Sequence, residues 1–299
     1  MSTKITVDFL VIGSGAAGVC AALYAASEGK AVMLCEKAAK IGGTTALSNA
    51  MIWVPCSDQA VQAGIDDSLE NARIYLRNEL GNYYDDAKIN TYLERGPEAV
   101  RAIEENSEIK FVLAGAPDYH SSQEGGVDKG RALSPVPYDG RKLGKEFDLI
   151  GDPIRVVLGG MMIASSEIKH FLNPFKSTTA MTHVLRRVGR FAMDRLKFSR
   201  GTELSGGNAF LAAALVSLRK YGVDLRTDCA MQELIHENGR VVGAKLVYNG
   251  SSLDVKARDG VILATGGFAA NEDLRAEIGV KHRHDVTLCA PEVQGDGIM

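Results

Sequence analysis

Residues Val7–Lys37 have the sequence VDFLVIGSGAAGVCAALYAASEGKAVMLCEK. Phe9–Ile12 is a short apolar run typical of a buried parallel strand, and it leads directly into a glycine-rich turn. Ala17–Ala26 contains good helix formers, and Gly29 provides a stop signal before a second apolar run, Ala31–Cys35. The pattern therefore predicts a βαβ unit at the start of an α/β fold with a parallel sheet.

The turn between the first strand and the helix has the spacing GxGxxG, in which each glycine has a separate role. Gly13 allows the sharp turn, Gly15 lets a pyrophosphate approach the backbone, and Gly18 lets the helix pack close to the sheet. The unpaired N–H groups at the helix N-terminus favour a bound anion. The predicted phosphate-binding residues are Gly13, Ser14, Gly15, Ala16, Ala17 and Gly18.

Glu36 ends the second predicted strand. A carboxylate at this position can accept hydrogen bonds from both ribose hydroxyls, and it repels a 2′-phosphate. A lone GxGxxG is a weak signal, since a glycine-rich turn also occurs without any ligand. Because the strand, the helix, the second strand and the terminal carboxylate are all in register, the stretch predicts dinucleotide binding.

The residues that follow Glu36 indicate which dinucleotide is bound. Lys37–Ser48, KAAKIGGTTALS, continues into a Gly-Gly-Thr-Thr turn. This arrangement resembles the FAD-binding proteins of the fumarate reductase, succinate dehydrogenase and 3-ketosteroid dehydrogenase superfamily, and the resemblance implies FAD as the cofactor. In that family the glycine pair and the following hydroxyl residues line the pyrophosphate and the flavin. The positions implied here are Lys37, Gly42, Gly43, Thr44, Thr45 and Ser48.

Three later stretches carry the same resemblance. In the family, the strand that corresponds to the region of Met231 lies over the adenine. The sequence GVILATGGF, Gly260–Phe268, matches the family's ATGG signature, where the main chain comes close to the cofactor. A Gly-Asp-Gly turn, present here at 295–297, lies beside the flavin in relatives. The cofactor-binding residues that these stretches imply are Met231, Ala264, Thr265, Gly266 and Asp296.

Two stretches favour the 3-ketosteroid dehydrogenase branch of the family. AMIWVP, Ala50–Pro55, resembles a stretch that packs near the flavin ring in that branch, with an ordinary core position for Trp53 as the alternative. Pro117-Asp118-Tyr119 resembles the loop that supplies an active-site tyrosine, so the resemblance implies that Tyr119 is catalytic and assists removal of a proton alpha to a ketone. An ordinary loop residue is the alternative. Because a tyrosine has an unperturbed pKa of about 10, the catalytic role requires neighbours that lower it.

Several charged residues have no family role. Arg131 and Arg141 lie in a loop rich in Gly and Pro. We expect both to form surface ion pairs, and substrate binding is the alternative. The segment His183–Arg200 contains six Lys or Arg residues and a single acidic residue, Asp194. A basic helix can contact nucleic acid or lipid. Without interleaved aromatic residues, a solvated or substrate-approach face is favoured.

Composition excludes several classes of partner. The formal net charge of −3 and the pI of about 6.1 predict no general attraction to nucleic acid. No apolar run reaches the length of a membrane span, so stable membrane insertion is not expected. The five cysteines have no metal or redox spacing. This predicts reduced thiols, no metal site and a cytoplasmic protein.

The apolar pattern of the rest of the sequence predicts further helices and strands after the βαβ unit. The predicted helices span 67–81, about 86–106 with a kink or break at Gly96-Pro97, and 208–221. The predicted strands span 109–113, 223–226, 230–236, 239–248, 253–256 and 260–268, with the three segments from 230 to 256 forming a meander.

The predicted architecture is a Rossmann-like FAD-binding domain over residues 1–299, with a partly helical excursion at about 111–206. It corresponds to the N-terminal part of a family enzyme. The cap domain and the C-terminal segment that completes the FAD site in relatives are not recognised, and a second tyrosine and the ketone-binding groups are expected in those parts.

The expected function is that of an FAD-dependent oxidoreductase of the 3-ketosteroid dehydrogenase type. Such an enzyme desaturates a carbon–carbon bond beside a ketone, in a steroid or a smaller ring, and passes electrons to an unknown acceptor. Two alternatives stay open: a soluble fumarate reductase-like enoate reductase, and an inactive FAD-binding fragment.

Overall fold

The computed structural model describes residues 3–154, 156–279 and 287–298. The strands are β1 Thr3–Ile12, β2 Val32–Cys35, β3 Ile52–Trp53, β4 Phe111–Leu113, β5 Ala132–Pro135, β6 Tyr138–Asp139, β7 Glu203–Leu204, β8 Asp224–Arg226, β9 Cys229–Glu237, β10 Arg240–Tyr248 and β11 Ser251–Leu263. The α-helices are α1 Ala16–Ser27, α2 Gly43–Leu47, α3 Asp58–Gln62, α4 Leu69–Leu80, α5 Asp86–Asn106, α6 Ile168–Leu172, α7 Thr178–Asp194, α8 Gly206–Lys220 and α9 Glu272–Glu277. Short 3₁₀ segments occur at Gly81–Tyr83, Gly140–Leu149, Ser165–Glu167 and Pro174–Lys176.

The chain forms two compact units. The first comprises Met1–Ser48 and Pro137–Met299, and the second comprises Asn49–Val136. The excursion expected at 111–206 includes parts of both units, so its assignment as an insertion into one domain stays a prediction.

The first unit is built on a sheet whose strand order, within the described residues, is β8-β2-β1-β11-β10-β9. Strand β1 is parallel to both β2 and β11, and β2 is parallel to β8, which confirms the predicted α/β fold with a parallel sheet. Strands β9, β10 and β11 form the predicted antiparallel meander. Two strands expected separately at 253–256 and 260–268 are one continuous strand, β11. Pairing with the whole length of β1, through one shift of register between Val7 and Phe9, holds it extended.

The centre of this sheet is apolar on both faces, as expected for a parallel sheet covered by helices. Leu10, Val11, Met33 and Leu34 have no exposed surface. Helix α1 packs against β2 and α8. The sheet core therefore fixes the turns at the carboxyl ends of β1, β2 and β11.

The second unit contains α3, α4 and α5 and a small antiparallel sheet of order β3-β5-β4 within the described residues. Helix α4 begins where the sequence predicts, because the Ser68 hydroxyl accepts a hydrogen bond from the Asn71 N–H. Helix α5 runs as a single helix through Pro97. No helix in the described ranges has both the length and the apolar character that a bilayer span requires.

Helix α8 begins directly against the Gly-Gly-Thr-Thr segment of the first unit. The Gly207 N–H donates to the Ser48 carbonyl at 3.0 Å, and the Asn208 side-chain amide donates to the Ala46 carbonyl at 2.9 Å. A Cβ on Gly207 would lie 1.7 Å from the Thr45 carbonyl oxygen. The close approach therefore requires glycine at 207.

We expect Gly207→Ala to lower the free energy of unfolding by about 1–3 kcal/mol, because the added methyl group overlaps the backbone of α2. The matched control is Gly189→Ala in α7, where an added Cβ meets no atom within 4 Å. That change is expected to stabilise the helix by up to about 1 kcal/mol. Urea unfolding followed by circular dichroism measures both, and equal stabilities of the two variants would contradict the close contact.

Candidate functional site

A cleft of about 580 Å³ opens in the first unit at the carboxyl ends of β1, β2 and β11. Open α/β sheets bind their ligands at this edge, and small-molecule sites have volumes of roughly 300–1,000 Å³. The position and size of the cleft are those of a cofactor site.

Most of the cofactor-binding residues predicted from the sequence line this cleft. These are Gly13, Ser14, Gly15, Ala16, Ala17, Glu36, Lys37, Gly42, Gly43, Thr44, Thr45, Met231, Ala264, Thr265, Gly266 and Asp296. Gly18 and Ser48 are not among the lining residues. The Ser48 hydroxyl donates to the Thr45 carbonyl, which places it at the end of α2. Tyr119 belongs to the second unit.

The three glycines of the first turn differ in what surrounds them. A Cβ on Gly13, which has φ +101°, would lie 2.3 Å from the Ala264 carbonyl oxygen, and a Cβ on Gly18 would lie 1.8 Å from the Gly13 carbonyl oxygen. A Cβ on Gly15 would meet no protein atom closer than 3.7 Å and would occupy the cleft instead. Gly13 and Gly18 thus allow the backbone to pack, and Gly15 leaves room for a pyrophosphate.

The Glu36 carboxylate is 8% exposed and is held in a fixed orientation. Its Oε2 accepts hydrogen bonds from the Ser14 N–H at 3.1 Å and the Ser14 hydroxyl at 2.6 Å, and its Oε1 accepts from the Ala38 N–H at 3.0 Å. The Ser14 oxygen in turn accepts from the Gly42 N–H at 2.9 Å. Three of the four lone-pair sites of the carboxylate are thus used, and the one that is left, on Oε1, can accept a hydrogen bond from a ribose hydroxyl, which fits the predicted role of Glu36.

The Gly-Gly-Thr-Thr segment is tied to the rest of the cleft by its two threonines. The Thr45 hydroxyl oxygen accepts from the Ala16 N–H at 2.9 Å, and the Thr44 hydroxyl oxygen accepts from the Ala290 N–H at 3.1 Å. Across the cleft rim, Lys37 Nζ lies 2.7 Å from Asp296 Oδ2. The second and third of these contacts join residues 37–44 to residues 290–296.

The cleft also contains residues that sequence reasoning missed. Cys229, Cys289, Glu292 and Val293 line it, and they belong to no recognisable motif. Their only sequence signal is their position, close to Met231 and to the Gly-Asp-Gly turn. Cys229 contacts Cys35, and this hydrogen bond together with burial raises the pKa of the Cys35 thiol above its ordinary value. The five cysteines form no disulfide.

In the second unit, Arg131 does not form the surface ion pair that the sequence favours. Its side chain is 1% exposed, and it donates to both carboxylate oxygens of Asp67 at 2.7 Å and to Asp118 Oδ2 at 2.8 Å. Its guanidinium also lies 5.5 Å from the ring of Trp53 and 5.6 Å from that of Tyr75. The expectation was wrong for Arg131 because two buried carboxylates and two aromatic rings compensate its loss of water. It was correct for Arg141, which pairs with Asp139 and is half exposed.

Burial alone would lower the pKa of Arg131, but the hydrogen bonds and charges of Asp67 and Asp118 raise it above its ordinary value. The guanidinium is therefore charged at every pH at which the protein folds. Asp118 also accepts from Trp53 Nε1 at 2.7 Å and from the Val127 N–H at 3.2 Å. These hydrogen bonds hold Asp118, and with it the backbone next to Tyr119, in a fixed position.

Tyr119 itself is exposed, with 99% of its surface accessible. His120, the next residue, pairs with Glu79 at 2.6 Å on the surface. Trp53 is half-buried and stacks between Tyr75 and Tyr92. Its two alternative roles, flavin packing and ordinary core, both stay open, and the catalytic role of Tyr119 stays a prediction.

Comparison with known proteins agrees with the geometry of the cleft. The sequence profile of the FAD binding domain family matches residues 8–299. The chain is 33% identical to a 3-oxosteroid 1-dehydrogenase of Mycolicibacterium smegmatis, over 98% of the chain and 52% of that protein. It is 35% identical to a 4-oxocyclohex-2-ene-1-carboxylate 5-dehydrogenase of Sinomonas cyclohexanicum, over 91% of the chain and 46% of that protein.

A solved structure gives the same result for the fold. The 3-ketosteroid delta1-dehydrogenase from Sterolibacterium denitrificans, in complex with 1,4-androstadiene-3,17-dione, superposes with a TM-score of 0.88 at 30% identity. The match covers 98% of this chain and 54% of that chain. The chain thus spans about half the length of the curated relatives it matches.

We expect Glu36→Gln to weaken FAD binding by roughly 10-fold to 100-fold, since hydrogen bonds to a charged group contribute about 1.5–3 kcal/mol. The amide nitrogen would face a donor, either at Ser14 or at Ala38. Fluorescence titration with FAD measures the change. Glu28→Gln, an exposed change at the end of α1, is the control, and equal affinities of the two variants would exclude a role for the Glu36 carboxylate.

We expect Arg131→Met to lower the free energy of unfolding by about 3 kcal/mol or more, because it leaves Asp67 and Asp118 buried without a counter-charge. Chemical unfolding followed by circular dichroism is the measurement. The control is Arg95→Met in the same unit, where the exposed pair with Glu98 is expected to contribute less than about 1 kcal/mol. A loss at 131 no larger than that at 95 would show that the buried pair is unimportant.

Proposed function

Because this chain belongs to the FAD binding domain family, we propose that the protein containing it is an FAD-dependent dehydrogenase that desaturates a carbon–carbon bond beside a ketone. The cleft in the first unit fits FAD: Gly15 leaves space for the pyrophosphate, and Glu36 is oriented for the ribose. When bound, FAD supplies the hydride acceptor.

The observation that carries the proposal is the way Tyr119 is presented. Tyr119 is 99% exposed, while the preceding residue, Asp118, is 6% exposed. Asp118 is fixed by Arg131, Trp53 and Val127. The Tyr119 hydroxyl is therefore accessible to substrate, and we propose that the groups that lower its pKa belong to the substrate or to the rest of the protein.

The proposed reaction removes two hydrogens from adjacent carbons. Tyr119 takes part in accepting the proton from the carbon alpha to the ketone, and a hydride leaves the neighbouring carbon for the acceptor. The electron pair of the broken C–H bond at the alpha carbon forms the new double bond. Proton removal by a positioned side chain contributes roughly 10²-fold to 10⁴-fold to a rate.

The proposed substrates are ring ketones, either steroids or smaller rings. Two relatives support this range, since one is named for a 3-oxosteroid and the other for a 4-oxocyclohexene carboxylate. The experiment described below compares a steroid with a smaller ring as substrates. We also propose a cytoplasmic location, which the free cysteines support.

Reduction of an enoate such as fumarate is the second candidate from the sequence, and no feature of the described residues favours it. The relatives reported above are named as dehydrogenases of oxo compounds. Fumarate therefore serves as the comparison substrate.

We expect the product of the complete reading frame that contains this chain, loaded with FAD, to lose its visible flavin absorbance when a 3-oxosteroid or a 4-oxocyclohexane carboxylate is added without oxygen. Tyr119→Phe should slow this bleaching by roughly 100-fold or more while FAD remains bound, because the hydroxyl is lost and the cleft is untouched. Tyr83→Phe, an exposed change in the same unit, is the control.

Two results would contradict the proposal. One is reoxidation of the reduced protein by fumarate with no bleaching by either ketone. The other is a bleaching rate that does not change in Tyr119→Phe, which would remove Tyr119 from the chemistry and leave the family assignment intact.

A further inference from the structure

Helix α7 buries two charged side chains and exposes large apolar side chains, unlike an ordinary surface helix. Its inner face carries Arg187 and Asp194, which are 3% and 5% exposed. Its outer face carries Leu185 and Met193, which are 62% and 66% exposed, and Leu196 in the turn that follows is 83% exposed. A surface helix normally buries its apolar stripe, so the outer side chains need an explanation outside the helix.

The inner charges are held by a dense network within the first unit. Arg187 pairs with Glu167 at 3.0 Å and with Glu203 at 2.5 Å. Asp194 accepts from the Thr202 hydroxyl at 2.7 Å and from the Thr202 N–H at 2.9 Å. The orientation of α7 is therefore set by buried ion pairs, and its apolar side faces outward as a consequence.

The segment before α7 extends the same surface. Helix α6 and the 3₁₀ segment after it both pack against α7. They expose Ile168 by 45%, Leu172 by 72% and Phe175 by 87%. We call the outer side of these elements the basic–apolar face; its apolar members are Ile168, Leu172, Phe175, Leu185, Met193 and Leu196.

Every exposed charge from Ile168 to Lys197 is positive, although the chain has a formal net charge of −3. The only acidic residue in this range is Asp194, which is buried. The exposed cations are Lys169, Lys176, Arg186, Arg195 and Lys197. The face thus combines apolar side chains with a positive rim.

We propose that the basic–apolar face binds the surface of an anionic phospholipid bilayer, with Leu185, Met193 and Leu196 entering the interface and the five cations contacting lipid phosphates. Helices of this composition lie in the plane of the interface, held by apolar burial and by attraction to anionic lipids. The binding is peripheral and requires no membrane span.

Charge complementarity favours this occupant over others. A second copy of the chain would bring two positive rims together, which disfavours self-association through this face. Nucleic acid would match the positive charge but would leave Leu185, Met193 and Leu196 in water. Both remain outcomes of the test.

The test is flotation of the product of the complete reading frame with vesicles of phosphatidylcholine and phosphatidylglycerol, compared with vesicles of phosphatidylcholine alone. We expect at least roughly tenfold stronger partition into the anionic vesicles, decreasing as salt is raised. The triple variant Leu185→Ser, Met193→Ser, Leu196→Ser should lose roughly tenfold or more of this binding. The matched control is Val61→Ser, which changes an exposed apolar side chain in the second unit.

Retained flavin and an unchanged circular dichroism spectrum show that the variants are folded, so the outcome does not depend on dehydrogenase activity. Binding that needs both the anionic lipid and the three apolar side chains supports the proposal. Failure of the parent to float overturns it, whether the face then proves to be covered by a second copy or by another part of the protein. Equal flotation of the parent and the triple variant overturns it as well, as does binding to duplex nucleic acid with none to vesicles.

Discussion

A single buried hydroxyl, that of Ser14, joins three of the segments that line the cofactor cleft. It donates to the Glu36 carboxylate at the end of β2 and accepts from the Gly42 N–H at the start of α2, while its own backbone lies in the first glycine turn. Because Ser14 is fully buried, these hydrogen bonds are protected from water and hold the turns at fixed separations. The shape of the predicted phosphate and ribose subsites therefore depends on this residue.

The parts of the fold that could be predicted are those with a local cause. The strand, turn and helix at the start of the chain follow from apolar periodicity and from the glycine turn, in which a Cβ on Gly13 or Gly18 would overlap backbone atoms. The start of α4 follows from the cap at Ser68. The family resemblance supplied ten further lining residues of the cleft, including Thr45 and Met231.

The features that could not be predicted depend on contacts between distant residues. Nothing near Gly207 in the sequence reveals that it must lie against the Thr45 carbonyl. Arg131 has the local surroundings of a surface residue, and only folding brings Asp67 and Asp118 to it. The two strands expected at 253–256 and 260–268 likewise form the single strand β11 because this segment pairs with β1. Charge count alone also misses the buried charges of α7, since buried and exposed cations contribute equally to a composition.

The central claim is that the first unit contains a specific FAD site, made by Ser14, Glu36 and the two glycine turns. The most direct measurement is a titration of the purified chain with FAD, followed by flavin fluorescence, with NADP⁺ as competitor. Our account predicts saturable binding of one FAD per chain that NADP⁺ does not displace, because Glu36 repels a 2′-phosphate. Unsaturable binding, or equal displacement by NADP⁺, would contradict it.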